Sequence, residues 1–204
     1  MSFSMEENKK IFKDFVTANI KRDGIDKLLE WLEQSDFYEA PASTRFHLCE
    51  AGGLCLHSIH VYKRLVQQYV LLSKCKYDDI PAEMKETIAI VALFHDVCKV
   101  NFYGVSYRNA KNEAGMWEKV PFYTADEKFC FGGHGSKSVF LLTKYIQLTD
   151  EEAVAINCHM GPYDRAPGDY SLGAAFEHFP LALMLHVADM YASNIDECNT
   201  AENK

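Results

Sequence analysis

Histidine and aspartate stand side by side in Ala92-Leu93-Phe94-His95-Asp96-Val97-Cys98-Lys99, at the end of an apolar run that begins at Ile88. An ionised carboxylate carried into apolar surroundings costs several kcal/mol unless a cation or strong donors sit beside it. An imidazole next to that carboxylate, with a lysine three residues on, suggests a metal site facing a phosphate. The dipeptide alone also fits a helix-end aspartate bonded to backbone, so the rest of the chain has to decide.

Four further residues share the same oddity, a polar ligand type placed in or at the end of an apolar stretch. His57 follows Leu54-Cys55-Leu56 on the apolar stripe of its helix, and His134 lies among the glycines of Gly132-Gly133-His134-Gly135. His159 closes the stretch that carries Ile156, and Asp189 sits within Pro180-Leu181-Ala182-Leu183-Met184-Leu185-His186-Val187-Ala188-Asp189. Each has a plainer reading. His57 reads equally as a hydrogen-bonded core histidine, His134 as a surface turn residue, His159 as a helix C-terminal cation and Asp189 as a salt-bridge partner. Six exceptions in one chain are harder to keep as coincidences.

The elements that must position these residues are mostly helical. Ile11, Phe12, Phe15, Val16 and Ile20, then Ile25, Leu28, Leu29 and Leu32, recur at helical spacing over 6–33, with Asp23-Gly24 as the turn between two helices. Residues 34–50 read as irregular. A long helix is predicted from Leu54 to about Ser73, another from Pro81 to about Val97, and a third from Ser136 to Ile146. Thr149 with Glu152 three residues on predicts a capping box for a helix ending near His159. A loop over 163–172 then leads into one last helix, about Gly173 to Ile195. Between 100 and 131, two aromatic and β-branched stretches flank the polar Asn109 to Gly115, which predicts a β-hairpin. The fold class expected is all-α with a small β-hairpin insert at about 100–131.

The chain has 204 residues, 48% hydrophobic and 25% charged, enough for one domain with a full core. No apolar run approaches a membrane span, and no apolar signal core stands near residue 1, so no membrane association is expected. Seven cysteines without a CxxC pair suit a reducing, cytoplasmic location better than a disulfide framework or a thiolate zinc site. The net charge of −8 with dispersed Lys and Arg disfavours duplex nucleic acid and favours a small phosphorylated partner, a nucleotide or a short oligonucleotide.

The order His57, His95-Asp96, Asp189, with His134 and His159 between, resembles the HD superfamily of metal-dependent phosphohydrolases over about 37–196. Ala40-Pro41-Ala42, His47, Gly52-Gly53-Leu54 and His57, followed by Gly133-His134-Gly135, His159-Met160-Gly161 and His186-Val187-Ala188-Asp189, are similar to the HD domain of bacterial 3′–5′ exoribonucleases. The chain lacks their OB-type domain and adds the aromatic insert, so it looks like a standalone HD hydrolase. The resemblance implies an HD-domain helical bundle over 37–196, a helical extension at 1–36 packed on it, and a polar, frayed tail at 197–204.

It further implies one or two divalent metal ions per chain. His57, His95, Asp96 and Asp189 would hold the first, and Asp96 would bridge to a second held by His134 and His159. Imidazole and carboxylate ligands suit Mn, Fe, Co, Ni, Zn or Mg. Asp96 and Lys99 are the expected catalytic residues, Lys99 by neutralising charge on the transferring phosphate; a solvated surface lysine is the alternative. Arg45, His47 and Lys99 are the expected substrate-binding residues, Arg45 through its guanidinium fork. His60 and His186 fit supporting or packing roles, and Cys158 a small core residue. Tyr103, Tyr107, Arg108, Trp117 and Tyr123 would either stack on a base or pack the insert onto the body. The competing readings are a non-catalytic nucleotide-binding or sensor protein of the same fold, and a di-iron oxygenase.

Overall fold

The computed structural model describes residues 4–166 and 169–198. The described residues form eight α-helices and one two-stranded antiparallel sheet: α1 (Met5–Asn19), α2 (Ile25–Glu33), α3 (Gly53–Ser73), α4 (Ala82–Phe94), β1 (Tyr103–Lys111), β2 (Trp117–Ala125), α5 (His134–Leu142), α6 (Asp150–Cys158), α7 (Ser171–His178) and α8 (Pro180–Tyr191). The fold is therefore helical with a hairpin insert.

α4 is the axis of the molecule. Every residue from Ile88 to Phe94 is buried, because α1 and α3 cover it on one side and α6 on the other. α1 is fixed by a capping box, with Ser4 Oγ accepting from the Glu7 amide at 3.3 Å and Glu7 Oε2 accepting from the Ser4 amide at 2.7 Å. It drives Phe12 into an aromatic cluster with Phe37, Tyr38 and Phe94, ring centroids 5.0–5.9 Å apart. Truncating such a ring to alanine costs about 3–5 kcal/mol. The two N-terminal helices thus share one apolar core with the rest of the chain. The Thr149–Glu152 capping box at α6 is present as expected, at 3.2 and 2.8 Å.

Three of the expected helices differ in their bounds. α4 stops at Phe94, not Val97, because His95 Nδ1–H donates to the Ala92 carbonyl at 2.8 Å and takes the acceptor the next helical amide would have used. A 3₁₀ turn, Val97–Lys99, follows. α5 begins earlier, at His134, where Asp164 Oδ2 accepts from the Gly135 amide at 3.1 Å. It ends earlier too, at Leu142, in turn bonds such as Tyr145 N to Leu142 O at 2.9 Å. The single last helix is two, α7 and α8, broken at Phe179, since proline pushes the preceding residue out of the helical region and lacks an amide proton. A π-helical turn, Ala192–Asp196, ends it.

The hairpin runs in register from Tyr103↔Ala125 to Lys111↔Trp117. Asn112 Oδ1 closes its tip by accepting from the amides of Ala114 and Met116 at 3.1 and 3.0 Å. Its root is tied down by the Tyr103 hydroxyl donating to the Ala42 carbonyl at 3.0 Å. Tyr107 and Trp117 are 64% and 70% exposed, so these two rings do not pack the insert onto the body. The expected frayed tail is corrected at Glu197, whose side chain is fully buried; residues 199–204 lie outside the described residues. All seven cysteines are free. No helix among the described residues is long and apolar enough to cross a membrane.

Candidate metal centre

Four helix segments deliver polar side chains to one buried point. His57 comes from the inner stripe of α3, His95 and Asp96 from the end of α4, His159 from the end of α6, and Asp189 from the last turn of α8. The ends of α4 and α6 use the same device. His159 Nδ1–H donates to the Ile156 carbonyl at 2.7 Å, as His95 does to Ala92, so each histidine terminates its helix with one nitrogen and projects the other inward.

That division of labour fixes the chemistry. A carbonyl or carboxylate can only accept, so a ring nitrogen facing one must carry the proton, and the opposite nitrogen is left with a lone pair. His57 meets this condition as well, with Nδ1 3.0 Å from Glu197 Oε2. The Nε2 atoms of His57 and His95 then face each other at 3.3 Å, too short a pairing for two bare lone pairs without something between them.

Their surroundings have the spacing that ligands of one cation would take. His57 Nε2 lies 3.2 Å from Asp189 Oδ1 and 3.6 Å from Asp96 Oδ2, and His95 Nε2 lies 3.5 Å from Asp96 Oδ2. Ligand atoms about 2.1 Å from one cation stand roughly 3.0 Å apart at right angles and roughly 3.4 Å apart at tetrahedral angles. Asp96 turns its second oxygen the other way, 3.4 Å from His159 Nε2 and 3.8 Å from Cys98 Sγ, with His134 Nδ1 a further 3.7 Å from that sulfur. His159 Nε2 is buried without a hydrogen-bond partner.

Charge points the same way. Asp96, Asp189 and Glu197 are three carboxylates within reach of these rings, and Lys99 is the one ammonium among them. With neutral imidazoles the group carries two uncompensated negative charges, the amount a divalent cation cancels. Protons otherwise take its place. Burial disfavours a charged His57, but Glu197 and Asp189 overcome this and push it up to about 10. Burial opposes charge on His159 too, and Asp96 raises it. Burial would raise the Asp96 carboxyl, yet Lys99 and His95 hold it well below the usual range.

No family model, curated protein or solved structure matches this chain. The residues themselves nonetheless fit a divalent cation, since tied Nδ1 atoms, inward Nε2 atoms and unbalanced carboxylates occur together, with all nitrogen and oxygen donors on the His57 side and the Cys98 sulfur between Asp96 and His134 on the other.

Among the candidate residues, the structure brings His57, His95, Asp96, His159 and Asp189 together and sets His134 beside them across Cys98. Lys99 is not a solvated surface lysine. Its side chain is 10% exposed, and Nζ donates to Asp96 Oδ2 at 2.7 Å and to the Ala42 carbonyl at 2.8 Å. His47 stacks near His57, ring centroids 4.9 Å apart, with an unpartnered Nε2, and burial pushes it down to about 4. Arg45 stands apart from the centre, exposed, with its guanidinium over the Phe46 ring. His186 supports His159 by donating from Nδ1 to its carbonyl at 2.6 Å. Gly161 makes that possible: at φ +57° it lies so close to the His186 ring that a Cβ would collide with it. Cys158 is buried and accepts from Arg165 at 3.0 Å.

Sequence reasoning missed Glu197 and Cys98. Glu197 lies beyond the last apolar stretch, where no periodicity marks a residue as inward. Cys98 carried a signal, its place two residues after Asp96, but reads as a small hydrophobe.

Proposed function

We propose that this chain is a metal-dependent phosphohydrolase of the HD type, acting on a phosphoester of a nucleotide or short oligonucleotide. The observation that carries the reading is the convergence of free Nε2 atoms from His57, His95 and His159 on the two oxygens of Asp96, with each Nδ1 tied elsewhere.

His57, His95, Asp96 and Asp189 would hold one cation, and Asp96 with His159 and His134 a second. Cations so held supply Lewis acidity to a phosphoryl oxygen and acidify water near neutral pH. The protein's own groups do the rest. Lys99 keeps Asp96 ionised and tempers the negative charge that a phosphate would meet. His47 stays neutral and presents a free nitrogen beside the centre, suited to a hydrogen bond with substrate.

The nucleotide part of the reading rests on a groove of about 1050 Å³ between the 44–49 loop, which carries His47, and the hairpin. Arg45 and Arg108 line it together with Phe46, Phe122 and Tyr123, and no acidic residue does. Each guanidinium lies over a ring, Arg45 on Phe46 at 5.0 Å and Arg108 on Phe122 at 5.8 Å. Flat cationic and aromatic faces in an otherwise acidic chain suit a base and its phosphates.

The test is elemental analysis of protein purified without chelator, followed by hydrolysis of nitrophenyl mono- and diesters of phosphate. About two metals per chain, falling towards one in His134→Ala, with turnover lost in Asp96→Asn, is the expected result. Tight nucleotide binding with no turnover of either ester class would favour the sensor reading instead.

A further inference from the structure

We propose that Glu197 is a positioning residue for the metal centre, and that through it the 192–197 turn and metal loading depend on one another. The proposal rests on the metal reading above. Its carboxylate is fully buried, with Oε1 2.9 Å from His60 Nδ1, Oε2 3.0 Å from His57 Nδ1 and Oε2 3.8 Å from His47 Nε2. Among the described residues no ammonium or guanidinium touches it. Burying a carboxylate with imidazoles as its contacts is costly unless those rings keep a proton turned towards it.

Geometry assigns Glu197 its task. His57 can offer Nε2 inward only while its proton sits on Nδ1, and Glu197 is the acceptor that holds it there. A carboxylate on the far nitrogen also makes the imidazole a better ligand. The attachment is built from one face of α3. His57, His60 and Arg64 recur at spacings of three and four, so all three point the same way. His57 and His60 grip Glu197, while Arg64 pairs with Asp196 through Nε and Nη2. Ala192 is buried beneath the turn and accepts from the Glu197 amide at 3.0 Å. A residue 140 positions from His57 thereby sets its proton. Coupling of this kind is reciprocal: a turn that favours metal must be favoured by metal.

The experiment is zinc titration against a chromophoric chelator for wild type, E197Q, H60A and R64Q, with helix content checked by circular dichroism. E197Q should raise the zinc dissociation constant about tenfold or more. H60A and R64Q, which loosen the carboxylate or the turn without removing a ligand, should raise it by less. Nitrogen-15 spectra of the zinc-loaded protein should show His57 protonated at Nδ1 in wild type and that signal shifted in E197Q, a change that a merely structural role would not produce. Zinc should also slow amide exchange across 192–197 in wild type more than in E197Q. Zinc affinity within twofold of wild type in folded E197Q overturns the proposal. If E197Q does not fold, unchanged affinity in both H60A and R64Q overturns it. Wild-type protein that takes up no zinc overturns the metal reading, and this proposal with it.

Discussion

Two buried charged clusters meet α4, one at Glu86 and Thr87 and the other at its C-terminal end, and only one looks built to receive anything. In the first, Arg22 meets Glu152 with both arms at 2.8 and 3.0 Å, reaches Glu86 at 3.2 Å, and donates to the Gln147 carbonyl at 2.7 Å. Thr87 Oγ1 and the Thr149 amide fill the remaining sites on Glu152, at 3.0 and 2.8 Å. None of its buried polar atoms lacks a partner. In the second, around Asp96, His159 Nε2 and the nearby His47 Nε2 are unpartnered, and carboxylates outnumber cations. The first cluster spends its hydrogen-bonding capacity on the protein, so it ties the α1–α2 turn to α4 and α6. The second keeps lone pairs aimed at a shared point. Burial of charge does not separate structure from function here, whereas completeness of pairing does.

The contrast can be broken by substitution on either side. Asp96→Asn removes the charge shared by both halves of the centre, and should lower ester hydrolysis by about 10³-fold, roughly 4 kcal/mol of transition-state stabilisation, with metal content falling alongside. Hydrolysis within tenfold of wild type would deny that centre its role. Glu152→Ala should do the reverse. It leaves Arg22 with only Glu86 and the Gln147 carbonyl, strips Thr87 and the Thr149 amide of their acceptor, and should cost about 3 kcal/mol in urea unfolding, while the folded protein keeps wild-type metal content.

A smaller effect comes from the metal itself. Zinc at about 100 times its dissociation constant should stabilise wild type by about 2.7 kcal/mol and leave Asp96→Asn where it was, read as a shift in the urea midpoint. The smallest effect expected is in the groove. Arg108→Ala should raise KM for a nucleotide ester about three- to tenfold, on the order of 1 kcal/mol, with kcat and metal content unchanged. A fall in kcat instead would move Arg108 from binding towards the chemistry.

Much of the centre was legible because its residues break a strong local rule. An aspartate in the α8 stretch, or a histidine on the stripe of α3, stands out against apolar neighbours at any level of analysis. Partners that obey their local rule do not stand out. Glu197 sits in polar sequence, and neither Arg22, in a turn, nor Glu152, read as a capping-box residue, shows its partner until the chain brings them together, 130 positions apart. The break at Pro180 was written in the chain, but the apolar content on both sides masked it. His95 and His159 shorten their helices through side-chain bonds to the carbonyl three residues back, an effect that periodicity does not register. Lys99 was placed correctly one turn from Asp96, yet its burial depended on Ala42, whose carbonyl comes from a loop with no pattern of its own.

The spread of the ligands along the chain bears on how the protein matures. His57 and Glu197 must meet across nearly the whole described sequence, and Asp189 joins them only when α8 has docked on α3 and α6. Closing so long a loop carries an entropic cost that the apolar contacts around α4 must meet first. A shortened chain ending before 189 would keep Phe12, Phe94 and most of the apolar body, and still lack the last carboxylates of the centre. On the proposed reading, metal capture would be a late checkpoint on completed folding, not the seed from which folding begins.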